Sequence, residues 1–367
     1  LAGDDRFEFS NGSTLGGNID GGSGVDTLDY SLNTSPRSFV LSGLGSNNGF
    51  RGSVNSLTGT FDNINGLVGS SVSTADTLNA LNTVSSWQIS SSSTYTSNNA
   101  LTFSGIDTVN AGSLTDAFVI SGVSVINLNG GAGADSFTFN NAATLSGLID
   151  GQAGVDTLSW LPYTSARSVT LTGAGATDGF NGLETSLAGS FANINILIGS
   201  ASNADALTGM NTASVWDIDG SNQYAAIPTL DFSAFETLIG GSAVDTFTIS
   251  GSQTQNIQSG AGADLLSLAA GAVLNGSVDL GAGADVLLLG TGAALNGSVN
   301  LGSENDLLTL GAGSILTGSL DLGSGDDALV FVSIAKLVGP VNLGAGNDSL
   351  TFGAGATLTG FLDLGSG

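Results

Sequence analysis

Short alternating runs of apolar and polar residues, separated by glycine-rich turns, dominate the last third of the chain. The run DVLLL (285–289) leads through GTGAALNGSVNL (290–301) into a near copy of itself. Alternation with a period of two predicts strands with one buried face, and glycine clusters between such runs predict tight turns. No stripe of helical period persists, so we expect an all-β chain.

The glycine-rich phrase G-A-G-A-D-x-L-x-L recurs at a constant interval, which its aspartates mark. A unit of this length holds two or three short strands and their turns, and it can bury its apolar face only against neighbouring units. The sequence therefore predicts a parallel β-solenoid, similar to a β-helix or β-roll, with about 21 residues per turn. The aspartates that mark the interval are Asp264, Asp285, Asp306, Asp327 and Asp348.

A longer repeat fills the first two thirds of the chain. The stretch GVDTLDYSLNTSPRSFVLSG (24–43) matches GVDTLSWLPYTSARSVTLTG (154–173). We predict one long repeat of about six turns over 1–130, a second over 131–259, and the short-repeat tract over 260–367. An array of antiparallel β-sandwiches, one per long repeat, is the alternative, and the constant interval of the short phrase argues against it. Both ends fall inside a repeat, so we expect a piece of a longer polypeptide.

Charge and composition exclude several classes of function. The chain has 31 acidic and 5 scattered basic side chains, for a net charge of −26, so nucleic acid and anionic membranes are poor partners. Cysteine and histidine are absent, which excludes disulfides, Cys/His metal sites and a histidine general base. No run of 18 apolar residues predicts a membrane span.

In a solenoid, residues one turn apart stack, so the marking aspartates form a column about 5 Å apart. Ionised neighbours at that distance repel by roughly 3 kcal/mol at an effective dielectric near 20. A bound cation, protonation or splaying into water would relieve this repulsion. The alternative is that each aspartate only caps its own turn through a local Asx hydrogen bond.

A second polar column lies six positions upstream of the first. In its last members Asp and Asn alternate, which dilutes the charge and lets amides donate hydrogen bonds along the stack. Its members are Asn129, Asp150, Gln258, Asp279, Asn300, Asp321, Asn342 and Asp363.

The phrases GGSGVDTLD (21–29), GGAGADSFT (130–138), GSGDDALVF (323–331) and GAGNDSLTF (344–352) resemble the nonapeptide G-G-x-G-x-D-x-U-x of RTX (repeats-in-toxin) proteins. The resemblance implies Ca²⁺ held by aspartate and turn oxygens. It departs from the family because the motif occurs only once in each repeat unit, and Glu304 replaces the second glycine in GSENDLL (302–308). The aspartates it implies as Ca²⁺ ligands are Asp5, Asp26, Asp135, Asp156, Asp264, Asp285, Asp306, Asp327 and Asp348.

The chain also resembles giant bacterial β-strand-repeat surface proteins of adhesin, filament or sheath type, through the phrases that begin FDNIN (61–65) and FANIN (191–195). This resemblance implies a secreted, non-catalytic structural protein of the cell surface or extracellular matrix, forming a rigid rod or fibre with copies of itself, end to end or laterally.

Two other functions stay open from the sequence. An adhesin module would recognise glycans or another cell surface through the long repeats. A β-helix enzyme acting on polysaccharides is more remote, because such lyases need clustered basic residues. Aromatic residues at matching repeat positions could stack on sugars, but core packing is the favoured interpretation for Tyr30, Trp87, Trp160 and Trp216.

Overall fold

The computed structural model describes residues 2–366, and within them the chain forms strands and no helix. Consequently none of these residues lies in a helix that could cross a membrane. The chain divides into two compact units. The first comprises Leu1–Thr164 and Ala174–Ala201, and the second comprises Ser165–Gly173 and Ser202–Gly367.

The short-repeat tract of the second unit is a coil with three strands per turn, each in its own parallel sheet. We call these sheets faces A, B and C, in the order in which the chain enters them after the marking aspartate. Face A contains Leu265–Leu268, Val286–Leu289, Leu307–Leu310, Ala328–Phe331 and Ser349–Phe352. Face B contains Ser252–Gln253, Val273–Leu274, Ala294–Asn296, Ile315–Thr317, Lys336–Val338 and Thr357–Thr359. Face C contains Val278–Asp279, Val299–Asn300, Leu320–Asp321, Val341–Asn342 and Leu362–Asp363.

The pairing register confirms the predicted parallel β-solenoid. Leu265 pairs with Val286, and Val286 pairs with Leu307, so each coil advances the chain by one full unit of the sequence repeat. Alternate side chains face inward, and Leu287 and Leu308 on successive coils are completely buried. Leu288, the residue after Leu287, faces outward and is partly exposed. The period-two pattern therefore defines both the strand and its buried face.

Glycine is required where successive corners come into contact. Gly283 has φ of 137°, and a Cβ at that position would lie 1.5 Å from the carbonyl oxygen of Gly262 in the preceding coil. A side chain is therefore excluded both by backbone conformation and by space.

The first unit follows the same plan, with antiparallel insertions. In order of pairing, face A contains Arg6–Glu8, Thr27–Asp29, Gly66–Val68, Asn99–Ser104, Ser93–Ser97, Ser85–Ile89, Asp116–Ile120, Ser136–Phe139, Thr157–Ser159 and Ile196–Ile198. Face C contains Ile19–Asp20, Phe61–Ile64, Phe50–Val54, Ser38–Leu44, Thr77–Asn79, Thr108–Asn110, Asn127–Gly133, Ile149–Gly154, Leu187–Ile194 and Phe180–Glu184. Val123–Ser124 and Thr144–Leu145 pair on face B.

The insertions are back-folds, in which the chain forms a strand, turns, and returns as the antiparallel neighbour of that strand. On face A, Ser85–Ile89 is followed by Ser93–Ser97 and then Asn99–Ser104, each antiparallel to the strand before it. The sequence predicts about six turns in each long repeat and does not indicate these antiparallel strands. The extra residues of the long repeat form these strands.

The second unit repeats the face A back-fold before the short tract begins. Its strands on face A are Ser214–Ile218, Gln223–Ala225, Thr229–Ser233 and Asp245–Ile249. On face C, Ser168–Ala174 pairs with Ala206–Thr208, followed by Thr237–Gly241 and Asn256–Gly260.

The large aromatic residues lie in the core, as the favoured interpretation of the sequence predicted. Tyr30, Trp87, Trp160 and Trp216 are completely buried. Trp87 stacks on Phe118 one coil away, with ring centroids 5.4 Å apart and an interplanar angle of 11°. None of the four aromatic residues is available to stack on a sugar at the surface.

We expect Leu287→Ala to lower the free energy of unfolding of the chain by about 2–5 kcal/mol, because it leaves a cavity inside the coil. Leu288→Ala is the matched control on the outer side of the same strand, and it should cost less than about 1 kcal/mol. Urea denaturation followed by circular dichroism measures both. Equal losses would contradict the assignment of the inner face.

Candidate functional site

The predicted aspartates lie at the corner that leads into face A, and most of them are buried. Asp26, Asp156 and Asp285 have no exposed surface, and Asp135, Asp264, Asp306 and Asp327 are at most 2% exposed. Asp5 and Asp348 are partly exposed. In the second unit the structure brings together a continuous column, Asp264, Asp285, Asp306, Asp327 and Asp348. In the first unit it brings together Asp5 with Asp26, and Asp135 with Asp156.

Each column carboxylate accepts a hydrogen bond from the backbone of the preceding coil. The Asp264 backbone N–H donates to Oδ1 of Asp285 at 2.7 Å, and the Asp285 N–H donates to Oδ1 of Asp306 at 2.8 Å. In the opposite direction, the N–H of Val286 donates to the carbonyl oxygen of Asp264 at 2.9 Å. The aspartate therefore joins two coils at a corner.

Two buried members of the column were missed in the sequence. Asp116 donates its backbone N–H to Asp135, and Asp245 donates to Asp264, both at 2.8 Å. Both are fully buried. Each precedes its partner by two positions fewer than the strict interval requires, so a search at that interval does not find them. The signal that could have found them is an Asp directly before an alternating apolar strand, as in DAFVI (116–120) and DTFTI (245–249).

Asparagine replaces aspartate where the column meets a back-fold. The backbone N–H of Asp26 donates to Oδ1 of Asn65 at 3.2 Å, and that of Asp156 donates to Oδ1 of Asn195 at 2.9 Å. An amide oxygen thus satisfies the same donor as a carboxylate. The geometric requirement at this position is an acceptor, and the negative charge is not part of it.

In every column carboxylate except that of Asp116, the second oxygen is buried without a hydrogen-bond partner among residues 2–366; Oδ2 of Asp116 accepts the backbone N–H of Gly112 at 3.1 Å. A buried polar atom without a partner costs about 1–3 kcal/mol, and more when it is charged. These carboxyl groups are therefore the main unsatisfied polar feature of the corner. The Oδ2 atoms concerned belong to Asp5, Asp26, Asp135, Asp156, Asp245, Asp264, Asp285, Asp306, Asp327 and Asp348.

Burial raises the pKa of many column aspartates, and neighbouring carboxylates add to the effect. At Asp285 burial is the largest cause, and the charges of Asp264 and Glu304 raise the pKa further. Hydrogen bonds donated to the carboxylates oppose the rise. The pKa reaches about 7 at Asp135, Asp285 and Asp306, and about 6 at Asp156 and Asp245.

The second polar column has the alternation of hydrogen bonds that the sequence predicted. The Asn300 amide donates to Oδ1 of Asp279, and the Asn342 amide donates to Oδ1 of Asp321, both at 3.0 Å. The local Asx hydrogen bond also occurs in this column, since Oδ1 of Asp321 accepts the backbone N–H of Gly323 at 3.2 Å. The buried column bonds between coils, whereas this exposed column both bonds between coils and caps its own turns.

The corner offers Ca²⁺ few oxygen ligands. Oδ1 of each buried aspartate among the nine predicted ligands already accepts a backbone N–H. The carbonyl oxygens of Gly260 and Gly281 accept the backbone N–H groups of Ala282 and Ser303 at 2.9 and 3.0 Å. Within residues 2–366 no three acidic side chains cluster as metal ligands do. This donor set differs from the six to eight oxygens that Ca²⁺ takes. Calcium binding by the nine aspartates stays a prediction.

Comparison with known proteins assigns no family to the chain. No protein-family model matches the sequence, and the curated proteins include no significant match. The structure itself shows a β-rich, repetitive arrangement of parallel sheets.

In calcium-free buffer we expect thermal stability to fall as the pH rises from about 4 to about 7. An unfolded aspartate titrates near 3.8, whereas folded Asp285 and Asp306 titrate at about 7, so the folded chain binds more protons in this interval. Their contribution is complete below about pH 4 and is lost as the pH passes 7. Each unit of difference between the folded and unfolded pKa of a group corresponds to about 1.4 kcal/mol in the free energy of unfolding.

The measurement is a set of melting curves at pH 5 and pH 7.5, with chelator and with added Ca²⁺. If cations fill the column, Ca²⁺ raises the melting temperature at pH 7.5 and has little effect at pH 5, where protons neutralise the carboxylates. A chelator-independent stability that rises with pH would contradict the protonation account.

Substitution of one column residue distinguishes the role of the carboxylate as a hydrogen-bond acceptor from the role of its negative charge. Asp285→Asn keeps an oxygen for the N–H of Asp264, so we expect a smaller loss of stability between pH 5 and pH 7.5 than in the unmodified chain. Asp285→Ala removes the acceptor and should cost about 1–3 kcal/mol at both pH values. Asp279→Asn, in the exposed column, is the control and should leave the pH dependence unchanged. An unaltered pH dependence in Asp285→Asn would show that Asp285 does not titrate as described.

Proposed function

We propose that this chain is a non-catalytic structural repeat protein of the bacterial cell surface or extracellular matrix, and that it resists extension through its stacked coils. The observation that carries the proposal is the hydrogen bonding between coils. Every coil of the short tract pairs with the next on all three faces, and the corner adds the aspartate bond. Unfolding one coil by force must break all of these bonds together.

Charge and resemblance support the extracellular part of the proposal. A net charge of −26 favours solubility and repels anionic surfaces. The glycine-aspartate phrases resemble the RTX nonapeptide, and the phrases that begin FDNIN (61–65) and FANIN (191–195) resemble those of giant surface proteins. The second resemblance implies secretion and self-association. Partners in this proposal are copies of the same chain, end to end or laterally, and Ca²⁺ would act as an extracellular stabiliser of the aspartate column.

Single-molecule force spectroscopy tests the mechanical role. Stretched between two marker domains, the short tract should unfold in steps of roughly 70–75 Å, the extended length of one coil, or in multiples of that length. Smooth extension at low force, without such steps, would contradict a role in bearing tension. Electron microscopy of the native material for filaments or layers tests the location and the self-association.

An engineered disulfide provides a matched control, because the chain has no cysteine of its own. Ser267 and Leu288 are register partners on adjacent coils, and both side chains are directed outward. Neighbouring strands are about 4.8 Å apart, within the range of Cα separations that a disulfide spans. When Ser267→Cys with Leu288→Cys is oxidised, the total extension should shorten by about one coil, and reduction should restore it.

A further inference from the structure

The first unit contains a serine-lined cavity beside the face A back-fold. It has a volume of about 330 Å³. Its walls are the loop after Gly66–Val68, the turn between Ser85–Ile89 and Ser93–Ser97, the turn that follows Phe103, and the segment 123–126. This volume lies at the lower end of the roughly 300–1,000 Å³ typical of small-molecule sites.

Several wall serines hold their own loops in place. The Ser93 hydroxyl donates to the carbonyl oxygen of Ser90 at 3.0 Å, and the Ser71 hydroxyl donates to that of Ser31 at 2.9 Å. Ser70 Oγ accepts the backbone N–H of Ser73 at 2.9 Å. The polar wall is therefore ordered by hydrogen bonds before any ligand binds.

Ser124 differs from these serines. The residue lines the cavity and is 6% exposed, and its hydroxyl oxygen is buried without a hydrogen-bond partner among the described residues. Buried hydroxyls are nearly always hydrogen-bonded, so an unpaired one at a cavity wall indicates a donor and acceptor for a bound polar group.

The second long repeat has larger residues at the equivalent positions. The segment SGSQTQN (250–256) matches SGVSVIN (121–127), which places Gln253 at the position of Ser124. Gln253 is nearly buried and donates its amide to the carbonyl oxygen of Ser250 at 2.8 Å. Phe235, also buried, stands where the first repeat has Ile106. The cavity wall of the first repeat therefore differs in residue size from the equivalent positions of the second repeat.

The lining selects for the chemistry of the ligand. No basic residue lines the cavity, and its one acidic residue is Asp107, so an anion would find no counter-charge. Hydroxyls form most of the polar wall, while Val123 and Val125 at the rim are 72% and 73% exposed. A neutral sugar has this combination of hydroxyls with an apolar C–H face.

We propose that this cavity binds a neutral hexose-type saccharide, with the Ser124 hydroxyl hydrogen-bonded to a sugar hydroxyl. The site is independent of the structural role proposed above, and either can fail without the other.

The test is saturation-transfer NMR on the whole chain with the methyl glycosides of glucose, galactose, mannose and N-acetylglucosamine, and with glucuronic acid as the charged comparison. At least one neutral glycoside should bind, and glucuronic acid should not. Absence of binding by all four neutral glycosides, or equal binding of glucuronic acid, would overturn the proposal.

Variants then locate the site. Ser124→Gln introduces the residue of the second repeat and should weaken binding at least tenfold. Ser113→Gln, at an exposed position outside the cavity, is the matched control and should bind like the unmodified chain. Melting curves verify that both variants fold, and Ser124→Ala provides a smaller change if the glutamine variant does not. Unchanged binding in a folded Ser124 variant would exclude this cavity.

Discussion

The structure depends on one hydrogen bond repeated from coil to coil, in which a buried aspartate accepts the backbone N–H of the aspartate position one coil earlier. At a corner, the strands of one face have ended and those of the next have not begun, so a backbone donor there lacks the regular partner of a parallel ladder. The carboxylate of the next coil supplies that partner. Because donor and acceptor occupy the same position of successive repeats, the bond forms only when coils stack in register.

This solution buries like charges, and the two polar columns handle that cost in different ways. The exposed column alternates Asp with Asn, so that Asn300 and Asn342 donate to their neighbours and the remaining charges face water. The buried column keeps aspartate in every coil of the short tract, although Asn65 and Asn195 show that an amide satisfies the same donor. Charge in this column is therefore separable from the geometry. It makes stability depend on the protonation of the carboxylates.

The sequence predicted the features that follow from exact repetition. The constant interval between the marking aspartates specifies coil length, parallel register and the inner face, and all three are present in the short tract. It could not predict the back-folds, because the order in which strands stack is decided by pairing between distant segments. Ser38–Leu44 lies farther along face C than Phe61–Ile64, although it comes first in the chain. The sequence search missed Asp116 and Asp245 for a related reason, since the spacing to their partners is shorter next to a back-fold. The sequence also did not show that the column carboxylates bond to a neighbouring coil, because an Asx turn and a bond between coils require the same residue type.

The same contrast explains where a specific site can arise in such a protein. In the short tract the buried side chains of successive coils are similar, so a cavity inside the core would recur from coil to coil and weaken the core throughout. The long repeats interrupt this regular stacking. A back-fold adds strands and turns that the coils above and below it do not have. The serine-lined cavity lies at such a place, between the turn at Ser90 and the face B segment that contains Ser124. Its serines are far apart in the chain and become neighbours only through the back-fold. Regular coils thus provide cohesion, and interruptions of the regularity provide the surfaces on which a ligand can be distinguished.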